Sequence, residues 1–407
     1  MRNGFQDLAV RDLVSDGALL VTDGYRVRNI ELASTGIPFV RGGDIGKGII
    51  NTTTDDHIAP EFESRVLKKL SQPGDVVFIT KGTVGRVGFL REGQPQVVFA
   101  PQVCCWRVLN RDVLDPRFIF YLLKSQQFQA NLDAVKTHGS MVADYVSISD
   151  QMSFRVTIPP LSEQRAIAYT LGTLDDKIEL NCRMNENLEA LAQTLFKSRL
   201  VDVMNHGLPP GWLRASLDHI ANFLNGLALQ KFPPNGKDSL PVIKIAQLRS
   251  GNTEGADRAS ADLSSEYIIE DGDVLFSWSG SLETVLWGGG RGALNQHLFK
   301  VTSDKYPKWF YYLWTKYHLP GFQAIASAKA TTMGHIQRHH LSEAQVLIPT
   351  DDERHLMNAI MSPIIEKIIA NNIESRTLAA LRDTLLPKLL SGRIMIKEVD
   401  QDDVDKN

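Results

Sequence analysis

Pro73-Gly74-Asp75-Val76-Val77-Phe78-Ile79-Thr80-Lys81-Gly82-Thr83 has an echo further along the same chain, Asp271-Gly272-Asp273-Val274-Leu275-Phe276-Ser277-Trp278-Ser279-Gly280-Ser281. In each copy a Gly-Asp turn leads into a short run of strand formers, and a small polar loop follows. Working outward, each copy reaches an Ile-Pro step, Ile158-Pro159 and Ile348-Pro349, and then a long segment rich in Leu and Ile. One globular head plus one long helix is therefore used twice. Solenoid repeats run to about 20–50 residues, so a unit this long is a tandem duplication of a whole domain. It suggests two similar heads for a two-part target.

The expected class is α+β: two similar α/β heads and two long helices pairing as an antiparallel coiled coil with pseudo-two-fold symmetry. Head one takes residues 1–157 and its helical segment 158–205. Head two takes 206–348 and its helical segment 349–396, with an acidic solvated tail at 397–407. In head one, strands are expected at 37–40, 75–80, 85–90, 97–98 and 103–108, and one amphipathic helix at 117–131.

The helix seams follow from spacing. Leu174, Ile178, Asn181, Leu188 and Leu195 are spaced 4, 3, 7 and 7 apart, and Ile364, Ile368, Asn371, Leu378 and Leu385 repeat that spacing. A period near 3.5 keeps one stripe facing a partner helix. Breaks are expected at Gly172-Thr173, with Thr173 as an N-cap, and at Ser362-Pro363. Two such helices in one chain can pair antiparallel and hold the heads at opposite ends; the alternative is that each seam packs only on its own head. Asn181, Asn185 and Asn371 on the seam cost stability but can fix register; the alternative is that they lie on a partly wet flank.

With 407 residues, 43% hydrophobic and 22% charged, the chain is globular. No apolar run approaches the length of a membrane span. Three cysteines, two of them adjacent, fit a reducing, cytoplasmic setting and give neither a disulfide frame nor a thiolate zinc site. A net charge of −3 means that any basic DNA-binding groups must be gathered on one face.

Catalytic motifs fail one by one. Gly42-Gly43-Asp44-Ile45-Gly46-Lys47-Gly48 lacks the first glycine and the hydroxyl residue of a phosphate loop. No nucleophile elbow or nuclease carboxylate pattern appears. His335, His339 and His340 are spaced for a metal, but no carboxylate or cysteine completes the set, so no metal and no cofactor is expected on this chain.

DNA-contact signals are weak singly and recur in both heads. The first is the loop after the Gly-Asp-Val strand: Lys81, Thr83 and Arg86 in head one, Ser279 and Ser281 in head two, with Thr284 opposite Arg86. A later polar stretch supplies Lys136, His138 and Ser140, and then Lys329, Thr331 and Thr332. Gln102 and Gln296 stand at strand starts, and Arg41 and Lys244 at strand ends; Arg291 and Arg338 complete the candidates. Lys and Arg suit phosphates, and Gln, Asn and Arg suit base edges. The heads differ at these places, as two readers of different sequences should.

Taken together, Gly74-Asp75-Val76, Gly272-Asp273-Val274, Asn295-Gln296-His297, Ile158-Pro159-Pro160-Leu161-Ser162-Glu163-Gln164-Arg165 and the stretch 378–393 make the chain resemble the specificity subunits of type I restriction-modification systems. The second helix start departs from the pattern, with Thr350-Asp351-Asp352-Glu353-Arg354 in place of Pro-Leu-Ser-Glu-Gln. The resemblance implies a non-catalytic subunit that reads a bipartite double-stranded DNA site, one half per head. It implies two modification (methyltransferase) subunits and restriction (endonuclease and translocase) subunits as partners. S-adenosylmethionine, ATP and magnesium would sit on those partners. A protein–protein scaffold without DNA readout is the alternative.

Overall fold

The computed structural model describes residues 4–46, 48–135, 145–203, 207–235, 238–328 and 334–396. Lys136, His138, Ser140, Lys329, Thr331, Thr332 and the acidic tail lie outside the described residues. The chain forms two compact units, residues 1–175 with 381–407 and residues 176–380.

In the first unit, the Gly74 turn, at φ +92°, delivers the chain into the strand Val76–Ile79, whose four residues are all buried. This strand lies inside an antiparallel sheet ordered Leu19–Asp23, Val103–Val108, Val76–Ile79, Val87–Phe89. A second sheet is ordered Val98–Phe99, Ile37–Val40, His57–Ile58, Leu32–Ala33. The Asp of the Gly-Asp-Val motif is structural: the buried Asp75 carboxylate accepts from Gln72 N–H at 2.8 Å and from the Arg107 guanidinium at 2.7 Å. Phe78, Trp106 and Phe128 pack edge to face at 5.4–6.4 Å, geometry that suits ring quadrupoles.

The single helix expected at 117–131 is two, Pro116–Lys124 and Gln126–Val135. Ser125 between them is extended, and its Oγ accepts from Phe128 N–H at 3.1 Å, the capping chemistry that makes Ser a helix starter. The first strand, Gln6–Ala9, returns to pair antiparallel with Arg155–Ile158, directly before the Ile-Pro step.

The second unit repeats the plan. Its antiparallel sheet runs Asn222–Asn225, Leu298–Thr302, Val274–Ser277, Thr284–Leu286. Its second sheet runs Arg258–Ser260, Ser239–Ile243, Gly292–Leu294, Ile268–Ile269. Leu213–Ser216 closes onto Gln345–Ile348. Each head carries the same mixture: one parallel pair in the smaller sheet (Val98 with Phe39, Val242 with Ala293) and an antiparallel larger sheet.

The long helices are uninterrupted, which corrects the expected breaks. The first covers Leu161–Phe196, 36 residues. Gly172 is there because a Cβ would sit 2.5 Å from the Arg117 guanidinium carbon, and Arg117 donates to the Gly172 carbonyl at 3.0 Å. Thr173 Oγ1 donates to the Tyr169 carbonyl at 2.9 Å, so the hydroxyl is satisfied inside the helix instead of capping one. The second helix covers Asp351–Leu390, 40 residues, and runs straight through Pro363.

Within the second unit the helices pair antiparallel. Asn181 donates to Glu374 at 2.8 Å, Asn185 to Asn372 at 2.8 Å and to the Ile368 carbonyl at 3.2 Å, and Asn371 donates back to Asn185 at 2.8 Å. Partners fall in number on one helix as they rise on the other. Within the first unit, Asp175 meets Arg382 at 2.5 Å in the same sense. All ten seam residues are buried or half-buried. The first unit's core takes in Leu386 and Leu389 from the end of the second helix. The second unit's core takes in Ala192 and Phe196 from the end of the first. The alternative, in which each helix packs only on its own head, is excluded.

Candidate nucleic-acid interface

In head one, the loop after Val76–Ile79 is clamped on two sides. Thr80 N–H and Oγ1 both donate to the Gln102 carbonyl, at 2.8 and 3.1 Å. Val146 N–H donates to the Thr80 carbonyl at 2.9 Å, and Lys81 bridges Tyr145. A Cβ on Gly42 would meet Ile79 at 3.4 Å and Gln102 at 3.6 Å, so the Arg41 strand end also lies here. Four stretches distant in sequence thus converge: Arg41, the 80–86 loop, Gln102 and Tyr145. The rear of the loop is held by Gln129, which donates to the Gly85 carbonyl at 3.1 Å.

Head two builds the same clamp. Trp278 N–H donates to the His297 carbonyl at 3.3 Å, and Ile336 N–H to the Trp278 carbonyl at 3.0 Å. Ser279 bridges His335, and Gly280 N–H donates to the Gly334 carbonyl at 2.8 Å. Ser279 Oγ and His297 Nδ1 share a hydrogen bond of 2.9 Å. Each loop is therefore pinned to the residues just after the second polar stretch singled out in the sequence. Tyr145, 53% exposed, and His335 take part in the clamps, and sequence reading assigned neither to this role.

The equivalences refine one expectation. Ile79 N–H donates to the Arg86 carbonyl and Ser277 N–H to the Glu283 carbonyl, both at 2.9 Å. Arg86 therefore corresponds to Glu283, and Thr284 is buried within its strand. The head-one loop carries Lys81 and Arg86, both exposed and, among the described residues, without an ion-pair partner. The head-two loop carries Ser279, Ser281 and Glu283.

Other candidates are engaged elsewhere. Arg41 pairs with Asp56 at 2.7 Å and lies over the Phe39 ring; Lys244 pairs with Asp257. Arg291 pairs with Glu270 at 3.1 Å, at the far end of the strand Gly292–Leu294 from Gln296. Arg338 donates to the Phe223 carbonyl at 3.4 Å and covers the Phe299 ring. Gln296, half-buried, uses its backbone carbonyl to hold Trp278 Nε1 at 3.2 Å, and its side-chain amide meets His297 Nε2 at 3.3 Å.

The histidine cluster also differs from its reading. Glu343 supplies the carboxylate thought missing: ligand atoms of His339, His340 and Glu343 lie within 4.8 Å of one another. His335 is not among them and packs edge-on to Trp278. His340 Nδ1 accepts from Gln337 N–H at 2.9 Å. A neutral imidazole accepting there carries its proton on Nε2, so coordination would break this helix cap.

The groups with perturbed acidity have structural causes. Burial pushes the Cys104 thiol up to about 12 and raises Cys105 as well, so neither is a ready nucleophile. Burial would raise Asp175, but Lys124, Arg382 and the Tyr121 hydroxyl together hold its carboxyl below the usual range. No helix among the described residues is long and apolar enough to cross a membrane.

Comparison with known proteins places these features in a family. Residues 25–190 and 209–378 each match the type I restriction modification DNA specificity domain. The chain is 23% identical to the type I restriction enzyme MjaIX specificity subunit of Methanocaldococcus jannaschii, over 72% of either chain. It is 22% identical to the HindI specificity subunit of Haemophilus influenzae, over 70% of this chain and 79% of that one. The crystal structure of the S subunit from a type I restriction-modification system of M. genitalium shares the fold: TM-score 0.57 at 17% identity, covering 96% of this chain and 97% of that one. With two copies of the matching domain spanning most of its length, the chain belongs to the type I restriction-modification DNA specificity family.

Proposed function

We propose that the chain is the DNA-recognition subunit of a type I restriction-modification complex, with each head reading one half of a bipartite site. The observation that carries this is the duplicated clamp. The same backbone bonds hold the same loop in both heads, while the residues displayed differ: Lys81 and Arg86 against Ser279 and Glu283. A shared frame with changed display is what two readers of different half-sites require. The paired helices then convert their length into half-site spacing, as dimer geometry does in other DNA readers.

On this reading the chain performs no catalysis. Methyl transfer and cleavage belong to modification and restriction subunits, which bring S-adenosylmethionine, ATP and magnesium. Exposed Leu356 and Ile360 on the second helix, and Tyr169 and Leu191 on the first, supply apolar surface for docking them.

Charge reversal at Lys81, Arg86, Arg41 and Lys329 tests the reading. DNA binding by the assembled complex should fall at least tenfold, since each lost phosphate contact removes counterion release. Unchanged binding would leave the chain a protein scaffold.

A further inference from the structure

Head two is fastened to the second helix by a contact that head one lacks. Arg376 grips the Asp271 carboxylate with two bonds, of 2.6 and 2.7 Å, and donates to the Gly288 carbonyl at 2.7 Å. Gly290 N–H closes on the same carboxylate at 2.8 Å, and Trp287 Nε1 donates to the Gly290 carbonyl at 2.6 Å. Three successive glycines are needed. A Cβ on Gly288 would lie 2.5 Å from Asn372 Cβ, on Gly289 2.3 Å from the Trp287 ring, and on Gly290 3.0 Å from Arg376. Asn372 in turn accepts from Asn185 of the first helix at 2.8 Å. Head one has Pro73 in the place of Asp271, and Arg91-Glu92-Gly93 follow its corresponding strand end. Arg117 on Gly172 holds it instead.

We infer that the Arg376–Asp271 fork and its glycine turn are a positioning latch, which fixes head two on the helix pair and so restricts the complex to one gap between half-sites. A bidentate guanidinium–carboxylate pair sets direction as well as distance, and here it ties the head to the asparagine network that sets helix register. Arg376 and Asp271 touch no base; they act through the angle at which the reading loop is presented. This rests on the proposed DNA-recognition role.

The test has two arms. In the first, the assembled complex binds DNAs whose half-sites are separated by the preferred gap or by one base pair more or less. The intact chain should favour its gap by about tenfold or more, and Arg376→Gln should reduce this to about threefold or less with the same bases required in both halves. Arg376→Lys keeps the charge without the fork and should fall between. The second arm needs no DNA: spin labels at Ser265→Cys and Lys367→Cys, in a Cys182→Ser background, should give one narrow distance in the parent and a broad distribution in Arg376→Gln. Gap preference and narrow distance both retained in a variant that melts like the parent would overturn the latch. Absence of any bipartite binding by the intact chain would remove the recognition role, and the label distances would still decide whether the latch exists.

Discussion

At the scale of residues, the two helix starts show how different side chains solve one problem. Buried Gln164 accepts from Asp115 N–H at 2.9 Å and donates to the Val113 and Pro159 carbonyls at 3.0 and 2.9 Å, joining head one to its helix. The second start, where the family pattern lapses, uses Glu353, which accepts from Thr350 and, at 2.6 Å, from Trp212 Nε1. The loops proposed to read DNA carry the sharper functional consequence. Lys81 and Arg86 give head one two exposed cations, and Ser279 and Glu283 give head two none at those places. Lys81→Ala and Arg86→Ala in the assembled complex should each lower the slope of log affinity against log salt by about 0.9, while Ser279→Ala should leave it unchanged. Titrating binding against salt measures this. The Gly-Asp-Val repeat and the loops were legible in the sequence. The pairing of Arg86 with Glu283 was not, because the loop spans 80–85 in one head and 278–282 in the other, and only the strand hydrogen bonds reveal the shift.

At the scale of elements, Asp175 is the joint between the first helix, the second helix and head one: it accepts from Arg382 at 2.5 Å and from the Tyr121 hydroxyl at 2.7 Å. Its carboxyl is held below the ordinary value near 4. A depressed carboxyl contributes stability above its unfolded value and loses it as pH falls through the folded one. Asp175→Asn should therefore cost about 3 kcal/mol at pH 7, leaving the part-buried Arg382 with the exposed Asp383 as its counter-charge. The gap between variant and parent should close below about pH 4, as denaturant midpoints across pH would reveal. Pro363 lies in mid-helix, where it removes a backbone hydrogen bond; Pro363→Ala should raise the melting temperature, by up to about 3 kcal/mol of stability. Both helices were legible from their seams. Their continuity was not, because Gly172 and Pro363 carry helix-breaking propensity that packing overrides: Gly172 makes room for Arg117. The Ser125 break was missed for the opposite reason, since apolar periodicity continues across it while the local cap ends the helix.

At the scale of the whole molecule, duplication explains why so much could be read. Each head had to repeat the strand order of its larger sheet, its closing strand and its Ile-Pro exit, and a pattern seen twice is far stronger than one seen once. The side chains proposed to face DNA were the least legible part. Their role depends on what the fold brings together, as Tyr145 and His335 show by closing the two loops. What the duplication most directly predicts is modular reading, one head for each half of the site. Its most direct measurement is to replace residues 207–347 with the corresponding head of a relative of different specificity and map methylated sites across the host genome. One half of the methylated sequence should change while the other half and the gap remain. Change in both halves, or in neither, would contradict it.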